Sequence, residues 1–460
     1  MADKPIVLLL NPPGDKLYIR DYYCSFSSKA DYYWPPQDLI YLSGLLNERF
    51  DVRVLDAIAA RQSAASVFED ILALDPAAVV FTTGTATIKT DAALMARLKS
   101  ARPAIRIVAS AGILKFVGKE ILEAQPAIDA LLLDFGENDL SAYLRGAPGP
   151  WKSLLARENG RLVVSEAPIS RTYSVPMPRH DLFDFRRYKL PIAKRYPFTV
   201  VVTSLGCPYR CGFCTAGAFG YRTRPVENVI EELKGLSKLG VREILFQDPT
   251  FTIKTARVVD ICRRMIEEGL DFTWSANADL HALDEEKLVW MKKAGCHTLS
   301  VGIESGDDEM LKTYSKMITT DEIRAKTALL NRHHIKVLGY FILGLPGETH
   351  ASAESTIRLA KSLKLDLASF AVATPDIGTR LRAEALEKGW ISSDLLAWDS
   401  TEYPILETGG LSPSEIWKIR KKAVRSFYLR PSYLFGKLAG VRSPRDFRGL
   451  VANAFSLLGK

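Results

Sequence analysis

Long apolar runs are missing from this chain of 460 residues. The longest, about Val337 to Leu345, falls far short of the ~18 residues that a membrane-crossing helix requires. Ile6 to Leu10 is cut off by Asn11-Pro12-Pro13-Gly14 before it could serve as a secretory leader. Cysteine is sparse as well: there are six, three of them crowded into one short stretch, which is no disulfide framework. Together these absences predict a cytoplasmic protein whose thiols serve a metal. Most of the chain also lacks an excess of either charge. Of the net +8, Glu415 to Lys460 supplies eleven Lys or Arg against two Asp or Glu, so the remainder is close to neutral. With the basicity confined to the tail and no recognisable RNA-binding module, no nucleic-acid partner is expected.

What is present centres on Cys207-Pro208-Tyr209-Arg210-Cys211-Gly212-Phe213-Cys214. Three thiols at CxxxCxxC spacing can converge on one iron-sulfur cluster. Such clusters commonly take four thiolates, so three leave an iron open to an outside ligand. The competing readings are an incomplete zinc site or buried thiols. Zinc favours paired CxxC or a nearby His, and neither is found here. Cys24, Cys262 and Cys296 are isolated and show no ligand spacing, which argues against a second cluster; the last two read as core thiols.

The length suits two or three domains. The first third alternates short apolar runs (Ile6 to Leu10, Val52 to Leu55, Ala78 to Phe81, Arg106 to Ala109, Ala130 to Leu133) with amphipathic stretches, the pattern of a doubly wound α/β sheet. Ligands of such sheets bind beyond the carboxyl ends of the strands. Candidate contacts are therefore Asn11, Pro12 and Pro13, then Thr83, Gly84 and Thr85, then Ser110 and Gly112, and finally Gly136 and Glu137. Taken singly, each segment reads as a strand-to-helix turn. The aromatic loop from Tyr18 to Trp34 leaves the same edge, as a cap, a pocket wall or a packing flap. Prolines punctuate the stretch after Gly146, which reads as a linker. A second alternating series from Phe198 to Thr374 gives six strands, too few for a closed eight-stranded barrel, and the cysteines follow its first strand. The expected domains are 1–145 (Rossmann-like), 146–196 (linker), 197–385 (partial barrel of (β/α)6 type) and 386–460 (basic and mostly helical). The tail from Ser414 either packs on the barrel or lies on an anionic membrane surface.

The cysteine loop resembles the signature of the radical S-adenosylmethionine superfamily. Phe246-Gln247-Asp248, Gly302-Ile303-Glu304-Ser305-Gly306 and Gly344-Leu345-Pro346-Gly347-Glu348-Thr349 match the same family. The first domain, with Asn11-Pro12-Pro13 and Gly136-Glu137, resembles the cobalamin-binding domain of that superfamily's B12-dependent class B, and Phe427-Tyr428-Leu429-Arg430-Pro431 is similar to a stretch of that branch. The family's Gly-Gly is Ala111-Gly112 here, and its Gly-Glu-Gly-Glu turn has become Gly136-Glu137-Asn138-Asp139. No histidine precedes His180, so the domain offers no lower imidazole to cobalt.

The resemblance implies a 4Fe-4S cluster on Cys207, Cys211 and Cys214, S-adenosylmethionine chelated to its open iron, and cobalamin. It places Phe213 near the adenine, Glu304 on the ribose, and the backbone near Gly344 and Ala373 beside the nucleoside; the plain alternative for Glu304 is a strand-end charge paired with a Lys. Asp248 is either an acid facing substrate or a turn residue before Pro249. The implied reaction is C-methylation of an unactivated carbon by a 5′-deoxyadenosyl radical and methylcobalamin, with oxidative cyclisation as the alternative and RNA modification a lesser one. A small, hydrophobic or lipid-like substrate is expected, together with an electron donor such as flavodoxin or ferredoxin. Peripheral contact of the tail with the inner membrane face is the remaining expectation.

Overall fold

The computed structural model describes residues 4–23, 25–28, 32–158, 161–163, 170–392, 399 and 403–439. Cys24, Trp398 and the tail beyond 439 therefore lie outside the described residues. The first sheet contains β1 (Ile6–Asn11), β2 (Asp51–Asp56), β3 (Ala78–Thr82), β4 (Arg106–Ser110), β5 (Ala130–Leu132), β6 (Leu154–Glu158) and β7 (Arg161–Val163), in the order β2-β1-β3-β4-β5-β6-β7. The first five are parallel. Val79, Val80 and Phe81 are wholly buried, as strands covered by helices on both faces must be. The chain order reverses at β1, which pairs with β2 on one side and β3 on the other. A ligand crevice therefore opens beyond Asn11 and Thr82.

The stretch read as a linker is more than that. Within it β6 and β7 extend the first sheet antiparallel, β6 pairing Leu154, Leu155 and Ala156 with β5. The apolar face of Leu154 and Ala156 needed burial, and the open edge of β5 supplied it.

The second sheet has six parallel strands in chain order: β8 (Phe198–Val201), β9 (Glu243–Phe246), β10 (Thr273–Ala278), β11 (Cys296–Glu304), β12 (Lys336–Leu343) and β13 (Leu367–Val372). The sheet does not close on itself, so it is a partial barrel with two edges, β8 and β13. Alternation along β8 decides how the first edge is covered. Phe198, Val200 and Val202 join the core of the first domain, whereas Val201 faces the barrel's own core. The hydroxyl of Tyr41, from the first domain, accepts the Val202 N–H at 2.6 Å.

The helix Pro413–Tyr428 covers the other edge. Ser412 caps it in a reciprocal pair with Glu415, and Pro413 occupies its first turn. The Tyr428 hydroxyl donates to the Ala368 carbonyl at 2.7 Å and accepts the Ala368 N–H at 3.2 Å. Arg420 donates to the Phe370 carbonyl and Tyr433 to that of Asp366. Side chains thus satisfy backbone groups that a seventh strand would have taken. For this part of the tail, packing on the barrel is what the structure shows. Among the described residues no helix is long and apolar enough to cross a membrane.

Candidate cluster and cofactor site

The cysteine loop leaves the carboxyl end of β8 on a two-stranded stem, Ser204–Leu205 against Arg222–Thr223. Gly206 closes that stem with φ +68°, and a Cβ there would lie 1.8 Å from the Gly220 carbonyl oxygen, so only glycine fits. Within the loop Cys207 N–H donates to Ala216, Gly212 N–H to Tyr314 and Cys214 N–H to Cys211. The chain is therefore fixed at both ends and in the middle. Cys207 and Cys211 are partly buried and Cys214 is exposed. All three line one cavity of about 210 Å³ at the barrel mouth. Among the described residues no three His, Cys, Asp or Glu side chains are arranged to hold a single metal ion. Three thiols around a shared hollow suit a polynuclear cluster instead, and the all-sulfur donor set suits iron-sulfur chemistry. Burial raises the Cys211 thiol to about 11, so an electrophilic metal is what would hold it as thiolate.

Phe213 and Glu304 line the same cavity. Glu304 ends β11 with φ +66°, a left-handed conformation costly for a side-chain-bearing residue and concentrated at functional sites. Gly302 makes the arrangement possible: a Cβ there would lie 2.1 Å from a Glu304 carboxylate oxygen and 3.0 Å from Lys316 Nζ. Lys316 holds Asp279 at 3.3 Å and Glu304 at 3.6 Å, with each of the three side chains at most 12% exposed. Burial raises Glu304, opposed by Lys316. Burial pulls Lys316 down, yet the Glu304 and Asp279 carboxylates outweigh it and hold the ammonium above its ordinary range. Glu304 is thus both a cavity residue and the lysine-paired charge that the sequence allowed.

Other expected residues fall elsewhere. Gly344 gives its N–H to Glu348, and Ile416 fills the space beside it. Ala373 is packed with Tyr314, Leu345 and Leu381 in a small core against which Phe213 rests. Asp248 is fully buried; it accepts from Thr203 N–H, Thr203 Oγ1 and Ser204 Oγ, each at 2.6 Å, and is not in the cavity wall. It fixes the turn three residues ahead of Cys207. Sequence reasoning missed Lys316, Asp279, Asn277 and Tyr340, which all line the cavity. Asn277 and Asp279 alternate at the end of β10, a period-two signal that could have found them. Lys316 lies in a turn with no pattern to mark it.

At the edge expected to receive cobalamin, the glycines are already used. A Cβ on Gly84 would meet Ser25 at 2.5 Å, on Gly112 the Tyr22 ring at 2.5 Å, and on Gly136 the Tyr173 ring at 3.2 Å. A hairpin, Tyr18–Arg20 against Ser25–Ser27, lies on this edge as a packing flap. Its Arg20 forms a wholly buried pair with Asp91 at 2.8 Å and donates to Asn11 Oδ1 and to the Pro12 carbonyl. Thr83 joins through Asp91, and Ser110 donates to Asp38. Thr85 is buried and Glu137 half-buried. Three buried polar atoms at the start of the helix Gln37–Asn47 have no protein partner: Trp34 Nε1, Gln37 Oε1 and Asp38 Oδ1. Burial lifts the Asp38 carboxyl to about 8, with the nearby Asp21 adding to the rise. A mixed set of unpaired donors and acceptors matches the primary amides around a corrin ring. The residues at this edge fit cobalamin through those polar atoms and the strand-order reversal, with the glycines serving the hairpin.

A cysteine loop thus stands at the mouth of a six-stranded partial barrel that is joined to a doubly wound domain. The family model for the B12 binding domain matches residues 26–144, and that for the radical SAM superfamily matches residues 201–360. An uncharacterized methyltransferase of Pyrococcus horikoshii is 33% identical over 91% of this chain and 93% of its own. The anaerobic magnesium-protoporphyrin IX monomethyl ester cyclase of Cereibacter sphaeroides is 25% identical over 90% of this chain and 70% of its own. Among solved structures, the cobalamin-dependent S-adenosylmethionine radical enzyme OxsB superposes with a TM-score of 0.71 at 15% identity, covering 99% of this chain and 72% of that one, which shows the shared fold. The chain belongs to the cobalamin-dependent radical S-adenosylmethionine enzymes.

Proposed function

We propose that this enzyme transfers a methyl group to an unactivated carbon of a small, largely apolar biosynthetic intermediate. The observation that carries this reading is the single cavity shared by Cys207, Cys211, Cys214, Phe213 and Glu304, in a chain whose other domain is of the B12-binding type. Similarity to a methyltransferase along nearly the whole chain supports it. When bound, the cluster and cobalamin supply one-electron cleavage of S-adenosylmethionine and a transferable methyl group. The three cysteines hold the cluster, Phe213 packs against the adenine and Glu304 accepts from the ribose hydroxyls. Lys316 opposes the effect of burial on Glu304 and orients its carboxylate across 3.6 Å. Ala373 acts only through Phe213, and Asp248 as a support of the loop. An electron donor of the flavodoxin or ferredoxin class completes the cycle.

The test is the product ratio. Protein purified anaerobically with cobalamin, given a reductant, S-adenosylmethionine and a small-molecule extract of its source, is expected to release S-adenosylhomocysteine and 5′-deoxyadenosine in equal amounts. 5′-Deoxyadenosine alone would overturn methylation in favour of oxidative ring formation, the reading to which the similarity with the cyclase points.

For the tail, the exposed Leu434 (43%) and Phe435 (73%) on the helix Pro431–Ala439, followed in sequence by Arg442, Arg445 and Arg448, support contact with an anionic membrane surface. Phe435→Asp is expected to lower cosedimentation with anionic vesicles several-fold; unchanged binding would sink this contact.

A further inference from the structure

We propose that Tyr23, a residue of the cobalamin-binding domain, is a positioning residue for the cluster loop, and that through it the state of one cofactor site is felt at the other. The Gly206 N–H, immediately ahead of Cys207, donates to the Tyr23 hydroxyl at 2.7 Å. Gly206 cannot retreat, because the Gly220 carbonyl closes its other side. The Tyr23 ring meets the Phe219 ring edge-on, with centroids 5.2 Å apart, and Phe219 ends the short turn Ala216–Phe219 that follows Cys214. One side chain therefore touches the cysteine loop at both flanks.

The same domain adds a second brace. Lys115 Nζ donates to the Ala218 carbonyl at 2.7 Å and lies 4.0 Å from the centre of the Phe219 ring. Phe116 packs on that ring at 5.7 Å. Both braces arise where cobalamin is expected. Tyr23 belongs to the turn of the hairpin whose neighbours Tyr22 and Ser25 cover Gly112 and Gly84, and Lys115 lies three residues after Gly112. A ligand that settles on this edge presses on the hairpin and on the Gly112–Phe116 turn, and both lead directly to the loop. Radical methyl transfer needs the two cofactors at a fixed separation, since misplacement of about 1 Å can cost a hundredfold in rate. Bonds from one domain to the backbone of the other's metal loop supply that constraint.

This inference rests on the two-cofactor reading, and the experiment separates the two. Full-length protein, reconstituted anaerobically with iron and sulfide, is titrated to obtain the cluster's reduction potential with and without hydroxocobalamin. The wild-type potential is expected to shift on cobalamin binding. Tyr23→Phe keeps the ring but removes the acceptor; it is expected to bind iron and cobalamin in wild-type amounts while losing that shift. Lys115→Gln, which leaves the hairpin untouched, is expected to at least halve it, and serves if Tyr23→Phe does not fold. Wild-type protein that binds both cofactors with no shift, or variants that shift as the wild type does, would overturn the brace alone. Wild-type protein that binds no cobalamin would overturn both readings.

Discussion

Cys211→Ala is expected to remove the cluster's visible absorbance and to bring reductive cleavage of S-adenosylmethionine down to background. The reason is geometric. Cys211 is the middle thiol of the three, its Sγ lies 3.8 Å from the Ser315 carbonyl, and the loop around it is held by the Gly212–Tyr314 and Cys214–Cys211 backbone bonds. The remaining two thiols cannot anchor a cluster against loss, and the carboxylates that share the cavity, Glu304 and Asp279, are already held by Lys316. Iron content measured beside 5′-deoxyadenosine release checks this. Cys262→Ala is the matched control, because Cys262 is buried in the barrel core. Cleavage that survives in Cys211→Ala would refute the ligand assignment.

The second large effect is expected from Lys316→Met. Lys316 is the shared cation of two buried carboxylates, and breaking a buried pair by removing one partner typically costs about 3–5 kcal/mol. Part of that cost is escaped by protonating Glu304, whose carboxyl burial already raises. The sign of the pH dependence follows. A carboxyl whose folded pKa lies above its unfolded one destabilises the fold above the unfolded value, increasingly until the folded pKa is passed. The stability gap between variant and wild type is therefore expected to widen as pH rises above the ordinary carboxylate range. Urea denaturation across that rise measures it, and a pH-independent gap would show that Lys316 contributes by packing alone. The apparent KM for S-adenosylmethionine should rise as well, because an uncharged or displaced Glu304 is a poorer acceptor.

How much of this could be read from the residues differs from element to element. Ile6–Asn11 and Ala78–Thr82 were legible because buried parallel strands need near-continuous apolar runs. The cysteine loop was legible because its ligands are adjacent in sequence. Strands β6 and β7 were not, since nearby prolines mask a pair of short apolar runs flanking Asn159-Gly160, a dipeptide that signals hairpins. That Lys316 would join Asp279 and Glu304 was illegible for a different reason: the three come from separate loops and strand ends and meet only once the barrel is formed. The glycines at the first sheet's edge carry a less specific signal. Small residues there do permit close approach, but what approaches Gly84 and Gly112 is Ser25 and Tyr22 of the same chain. Sequence shows that space is needed and not what fills it.

Tyr428 has one further consequence. An open parallel sheet offers the backbone of its last strand to any other extended segment, and so invites copies of a protein to stick to one another. Here the Ala368 N–H and carbonyl are already taken by one phenol, and the Phe370 carbonyl by Arg420. A barrel that stops at six strands keeps two edges, and the helix Pro413–Tyr428 lets it remain open without becoming adhesive.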